Sequence, residues 1–209
     1  PVGRYTTVET DIIVRGDRGE YPRLVRALAD VLKELKPASH KCLCAGLGNP
    51  LMTADALGSR CARRLIVTRH LAVDDSELCA ITPNVLGATG IESADIVAGT
   101  AARVRPDLVV AIDSLASSAT ARLAAAFQFT DTGITPGSGV ANHRTRLDRD
   151  TLGVPVLSIG VPLVVYASTI VAEAGGDPAA VDGLIVTPKD IDVLVDDCAE
   201  VIAAALNAV

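Results

Sequence analysis

The sequence predicts an α/β fold: a single three-layer domain with a mostly parallel sheet and helices on both faces. Three observations lead there. Segments of strand and helix character alternate along the whole 209-residue chain, the pattern that builds right-handed βαβ units. Hydrophobic residues make up 49% and charged residues 21%, enough to fill a sizeable core and far from the composition of a disordered chain. No linker, low-complexity run or internal repeat divides the sequence, so residues 1–209 are expected to form one domain.

Residues 7–14 alternate partly and read as a strand, ended by Asp17 and Gly19. Residues 21–35 place Leu24, Leu28, Val31, Leu32 and Leu35 at helical spacing, and Pro37 stops that helix. A short apolar strand, 42–46, runs into Gly46-Leu47-Gly48-Asn49-Pro50. Residues 53–68 then read as a helix with Thr53 as N-cap. A short strand at 78–82, a turn at 87–90 and a helix at 93–104 follow, and Pro106 breaks that helix. Residues 108–112 are a buried strand with Asp113 directly after it. Residues 119–125 read as helical and 127–130 as a strand. Residues 131–142 form a Gly-rich loop, and 143–150 a polar, exposed stretch. Gly160 and Pro162 separate a strand at 154–159 from a helix at 163–172. A last strand at 184–187 and a helix at 188–205, with Pro188 in its first turn, close the chain.

Composition excludes several function classes. The net charge is −6 and aromatic residues are 2% of the chain, with no Trp. A broad electrostatic nucleic-acid surface and base-stacking platforms are therefore not expected, and no nucleic-acid or membrane partner is expected. Residues 151–172 carry no charge and are long enough to cross a bilayer. Gly153, Pro155, Gly160 and Pro162 interrupt them, and Arg4, Glu9 and Asp11 interrupt any leader-like N-terminus, so a cytoplasmic protein is expected. The five cysteines, Cys42, Cys44, Cys61, Cys79 and Cys198, have no metal-ligand spacing and read as buried thiols. His40, His70 and His143 are scattered and read as surface histidines. No cofactor and no metal are expected.

In open α/β sheets the working crevice lies beyond the C-terminal ends of the strands. Two carboxylates fall there, Asp55 just after the Gly46–Asn49 loop and Asp113 at the end of its strand. Facing each other, such a pair shares a proton, so one member can activate water while the other protonates a leaving amine. Each also has a plainer reading: Asp55 as a first-turn acid opposing a helix dipole, and Asp113 as an N-cap. The Gly46–Asn49 loop lacks both G-x-G-x-x-G and the P-loop lysine, so a nucleotide site is not expected. The second Gly loop, 133–139, reads either as turns or as the lining of a cleft for extended peptide. No G-x-S-x-G marks a serine nucleophile.

The motifs GLGN at 46–49, TADALG at 53–58, VTRHL at 67–71, TGIE at 89–92 with Asp95, and PDLVVAID at 106–113 occur in that order. DTGI at 131–134, PGSGV at 136–140, TLGVP at 151–155, IGVP at 159–162 and VTPK at 186–189 follow them. Together they resemble the germination protease family of endospore-forming bacteria. The resemblance implies a fold similar to hydrogenase maturation proteases, a phosphorylase-like arrangement. It implies an aspartic-type endopeptidase that degrades small acid-soluble spore proteins at germination in the spore core. It implies that Asp55 and Asp113 are the catalytic aspartates, with substrate contacts from Asn49, Glu92, Asp131, Gly137, Ser138 and Gly139. The family's zymogen is an oligomer, so a homo-oligomer is among the partners implied. The chain departs from the family in lacking its N-terminal region with the activation cleavage, in Ala54 and Ser59, in Thr135 for a usual His and in Tyr166 for a usual Asp. Two other readings stay open, the first from those departures and the second from the fold shared with hydrogenase maturation enzymes that the resemblance implies. One is a peptide-binding relative without turnover. The other is a metal-dependent maturation endopeptidase, with His143 or His70 joining the aspartates.

Overall fold

A computed structural model of the protein describes residues 2–71, 77–137, 145–181 and 183–209. The strands are β1 (Tyr5–Glu9), β2 (Lys41–Gly46), β3 (Glu77–Ile81), β4 (Leu108–Ser117), β5 (Ala126–Thr130), β6 (Val156–Tyr166) and β7 (Ile185–Val186). The helices are α1 (Tyr21–Leu35), α2 (Leu57–Ala62), α3 (Leu86–Thr89), α4 (Ser93–Val104), α5 (Arg149–Leu152), α6 (Ala167–Glu173) and α7 (Ile191–Asn207). The sheet runs β1-β5-β6-β4-β2-β3, with β7 pairing to the far end of β6.

Strands β3, β2, β4 and β6 are parallel, whereas β5, β1 and β7 pair antiparallel. The parallel heart follows from its helical crossovers. The antiparallel flank begins where residues 118–125 hold only a 3-10 turn at Thr120–Arg122, too little for a parallel crossover.

Side chains alternate across the strands. Cys44 of β2, Leu108, Val110 and Ile112 of β4, and Leu157 and Ile159 of β6 pack under α1, α2 and α7. Leu43, Ala45, Val109 and Ala111 point to the other face, where Ala94, Val97 and Ala101 of α4 lie with Leu147. Small residues on α4 bring that helix close to the sheet. Both faces are thus covered, giving the three layers the sequence predicts. Helices α1 and α4 have the expected bounds. The buried Leu24, Leu28, Leu32 and Leu35 form the α1 stripe, and its C-cap Lys36 turns extended ahead of Pro37.

Several elements differ from the sequence expectation, each for a physical reason. Strand β1 lies at Tyr5–Glu9 rather than 7–14, because Thr10 N–H donates to Ala125 O and the chain then turns at 11–16. The expected helix 53–68 becomes a 3-10 turn, Thr53–Asp55, and the six-residue α2. Thr53 does not cap it, and Thr68 leaves to bond Leu78 O beside β3. Residues 87–90 fall in α3 and its Gly90 cap. Leu147 is fully buried and bridges to Ile134, so the 145–150 stretch is not wholly exposed. Helix α7 starts at Ile191, after Pro188 rather than around it.

The break expected at Gly160 and Pro162 does not occur, and β6 runs straight through. A Cβ on Gly160 would lie 2.4 Å from Leu115 Cδ1, so Leu115 of β4 takes the space that glycine leaves. Pro162 has no N–H to give the ladder, and the β4 register shifts opposite it, between Leu115 and Ala116. The long β6 keeps β4 paired past residue 112, and Asp113 is therefore inside a strand.

The charge-free stretch 151–172 becomes the end of α5, the interior strand β6 and most of α6. No helix among the described residues is long and apolar enough to cross a membrane. All five cysteines are free thiols; Cys44, Cys61 and Cys198 are buried and Cys42 and Cys79 half-buried. Burial pushes the Cys42 thiol up to about 12 and raises Cys44, Cys61 and Cys198 as well, so these groups stay protonated and inert near neutrality.

Candidate active site

The site is built where β2 ends at Gly46, beside Ile112 midway along β4, which runs on to Ser117. From β2 the chain leaves outward to β3; from β4 it leaves the other way, towards β5 and β6. Opposite departures from adjacent strands open a crevice on the C-terminal side of the sheet, here past the end of β2.

One junction organises this crevice. Leu47 N–H donates to Ile112 O at 2.8 Å, extending the β2–β4 ladder by one bond. A Cβ on Gly46 would lie 2.1 Å from Gly58 O, and one on Gly58 would lie 2.4 Å from both Ile112 O and Leu47 N. The start of α2 therefore sits backbone-to-backbone on this junction, which only glycine allows at these two positions. Gly48 has φ +90°, and a Cβ there would lie 2.0 Å from Asp55 O.

The loop closes on itself around Asp55. Asn49 N–H donates to Asp55 Oδ2 at 2.7 Å, Asp55 N–H donates to Met52 O at 2.8 Å, and Leu51 N–H donates to Asn49 Oδ1 at 3.0 Å. The turn carrying Asp55 packs against β4, β6 and α7. Asp55, the acid in the first turn of that 3-10 helix, is therefore tied to the Gly loop.

Asp113 is 5% exposed and shares the α4 face of β4 with Val109 and Ala111. Its Oδ1 accepts Ser114 N–H at 3.0 Å. No helix follows it, so it caps nothing. Both carboxylates thus hang within a residue or two of the Leu47–Ile112 hydrogen bond; Asp113 is no N-cap, while Asp55 is also the acid in the first turn of the 3-10 helix Thr53–Asp55.

The remaining predicted residues separate. Asn49 is half-buried and spends its backbone N–H and Oδ1 on shaping the Asp55 loop. Glu92 precedes the first turn of α4, whose N-terminus lies at the crevice end of the sheet, and makes no side-chain cap bond. Gly137 sits in a turn with φ +67°. Ser138 and Gly139 lie outside the described residues, as does His143. Among the described residues no three His, Cys, Asp or Glu side chains gather as a ligand set. Thr135 is half-buried between Ile134 and Pro136, and Tyr166 ends β6 opposite Ile185.

Asp131 is not brought to the crevice. It follows β5, three residues past Gln128, which shares a row with Gly160 and Asp113, so it lies about 10 Å down the strands. There it binds Arg4, whose N–H and Nε–H donate to its two oxygens at 2.8 and 2.9 Å. The Arg4 side chain and then its backbone N–H hold the Asp131 carboxyl below its usual range. A lowered carboxyl stabilises the fold above the unfolded aspartate value, about 3.9, and loses that contribution as pH falls further. With the Arg4 side chain 52% exposed, Asp131→Asn should cost under about 1 kcal/mol at pH 7. Thermal melts should show that difference closing below pH 3, with KM for any substrate unchanged.

Sequence reasoning did not single out Gly58 and Gly160 as residues that shape the site. The available signal was a glycine in a helix, which costs about 1 kcal/mol against alanine, and one in a strand, which marks a close approach.

Residues 1–175 match the family described as germination protease. A germination protease of Clostridium perfringens is 37% identical over 99% of this chain and 78% of its own. One from Caldanaerobacter subterraneus is 38% identical with the same coverage, and one from Bacillus velezensis is 42% identical over 82% of this chain and 50% of its own. Among solved structures, a nickel–iron hydrogenase maturation protease from Thermococcus kodakarensis superposes with a TM-score of 0.51 at 21% identity, covering 84% of this chain and 98% of its own. That last likeness concerns the fold alone.

Proposed function

The chain belongs to the germination protease family, a family of peptidases, and on that premise we propose that it is an aspartic-type endopeptidase that degrades small acid-soluble spore proteins during germination. Asp55 and Asp113 form its catalytic pair. The observation that carries this reading is their placement: two carboxylates on one hydrogen-bonded junction at the crevice end of a parallel sheet, neither serving as a helix cap.

Each carboxylate has one oxygen fixed by a backbone N–H, from Asn49 and from Ser114. With a single proton shared between the two, the ionised member takes a proton from water as it attacks the scissile carbonyl. The protonated member gives its proton to the departing amine. Asn49 keeps the Asp55 loop in shape, Gly48 lets the chain pass behind the Asp55 carbonyl, and Glu92 and Gly137 to Gly139 are candidates for contact with substrate. The spore core is the compartment in which this substrate is met.

The test is direct. Wild-type protein incubated with a purified small acid-soluble spore protein should give a few large fragments by mass spectrometry, with cleavage continuing in EDTA. An intact substrate would overturn the reading. Cleavage lost in EDTA and restored by a divalent metal would overturn water activation by the carboxylates alone.

A further inference from the structure

Two further polar side chains stand in the sheet row of Asp113: Gln128 of β5 and, beyond it at the sheet edge, the exposed Thr7 of β1. Gln128 of β5 pairs with Gly160 of β6, and Gly160 pairs on its other edge with Asp113 of β4. Phe127 and Phe129 flank Gln128 and belong to the core under α1 and α7, so strand alternation puts Gln128 on the opposite face, the face of Asp113. Gly160 between them has no side chain, and the half-buried Leu115 fills the space above it.

From Asp113 outward the row therefore reads carboxylate, aliphatic floor, carboxamide, with the Thr7 hydroxyl at the edge. Two interstrand spacings separate the Asp113 and Gln128 backbones, about 10 Å. Gln128 is half-buried, and its carboxamide makes no hydrogen bond among the described residues. One position down the same face, Ser158 is 3% exposed and its Oγ also lacks a partner among the described residues. Buried polar groups are rarely left unpaired without a reason. Nearby Thr130, by contrast, is bonded to Thr132.

We infer that Gln128 is a substrate-binding residue: its carboxamide hydrogen-bonds the backbone of an extended peptide lying across the β4–β6–β5 row, over Leu115. An extended chain advances about 3.3 Å per residue, so Gln128 meets the substrate two or three residues from the bond at Asp113. The carboxamide both donates and accepts, which matches the C=O and N–H of one peptide unit and favours an unfolded protein over a folded one. This assignment rests on the peptidase reading of the same crevice.

The test separates the two claims. A small acid-soluble spore protein labelled with a fluorophore is titrated by anisotropy into the Asp55→Asn protein, with and without Gln128→Leu. Losing this hydrogen-bonding group should weaken binding about tenfold, the effect of roughly 1.4 kcal/mol. In the otherwise wild-type enzyme Gln128→Leu should raise KM by a similar factor and leave kcat within about twofold. Gln128→Glu, which keeps the acceptor and loses the donors, should fall between. Unchanged binding in a Gln128→Leu protein that melts like its parent, or a loss in kcat at constant KM, would overturn the inference, as would no binding to the Asp55→Asn protein at all. Weakened binding in a protein whose wild type cuts nothing would overturn the peptidase reading and keep this one.

Discussion

Asp113→Asn lowers kcat for spore-protein cleavage by a factor on the order of 1,000, and Asp55→Asn does the same. The magnitude is that of losing one positioned acid–base group, typically about 100 to 10,000-fold. Asparagine matches aspartate in shape and keeps an oxygen for the Ser114 or Asn49 N–H, so each variant should fold and melt close to wild type. Residues that act as a unit are strongly non-additive. The double variant should therefore be no slower than the worse single one. Equal cleavage by wild type and both single variants would remove the pair; a double variant slower by the product of both effects would show two independent groups.

Gly58→Ala carries the largest expected loss of stability. Its Cβ would lie 2.4 Å from Ile112 O and Leu47 N and 2.5 Å from Leu47 O. All three are backbone atoms of the β2–β4 junction, so neither side can rotate away. Overpacking in a well-packed core typically costs about 1–3 kcal/mol, and a rigid backbone clash belongs at or above the top of that range. In a chain of this size about 3 kcal/mol lowers Tm by roughly 6–12 °C. Activity should fall further than stability, because the same junction sets both carboxylates. Gly160→Ala is the milder comparison: its Cβ would meet Leu115 Cδ1 and, at 2.7 Å, Leu115 Cγ, a side chain that can turn away where backbone cannot, so the cost should stay below that of Gly58→Ala. A Gly58→Ala protein melting within 2 °C of wild type would show that α2 does not rest on the β2–β4 junction as described.

Much of this could be read in the sequence, but unevenly. Helices α1 and α4 were legible because their apolar stripes and prolines are local signals. So was β2; Asp55 and Asp113 stood out as acids near expected strand ends, although β4 runs on past Asp113 to Ser117. Strand β6 was not legible, since Gly160 and Pro162 are ordinary breakers unless a neighbour supplies Leu115 and a register shift. Those are tertiary facts. Helix α2 looked longer because 53–68 keeps helical composition, while the Asp55–Asn49 bond and the pull of Thr68 towards β3 cut it at both ends. Asp131 sits in a motif with the Gly-rich loop, yet its partner is Arg4, 127 positions away, and no local pattern reveals that. The sequence reading of 127–130 as a strand did not single out Gln128. Its relation to Asp113 needed the strand order, with β6 lying between β5 and β4.

The central claim is that two carboxyls sharing one proton activate water. The pH dependence of kcat/KM on an unfolded spore-protein substrate tests it most directly. Interacting carboxyls titrate in two steps, so the account predicts a bell-shaped profile, with both limbs lost together in Asp55→Asn and in Asp113→Asn. A single rising limb centred near 6.5, the ordinary value for histidine, and retained in either variant, would contradict it.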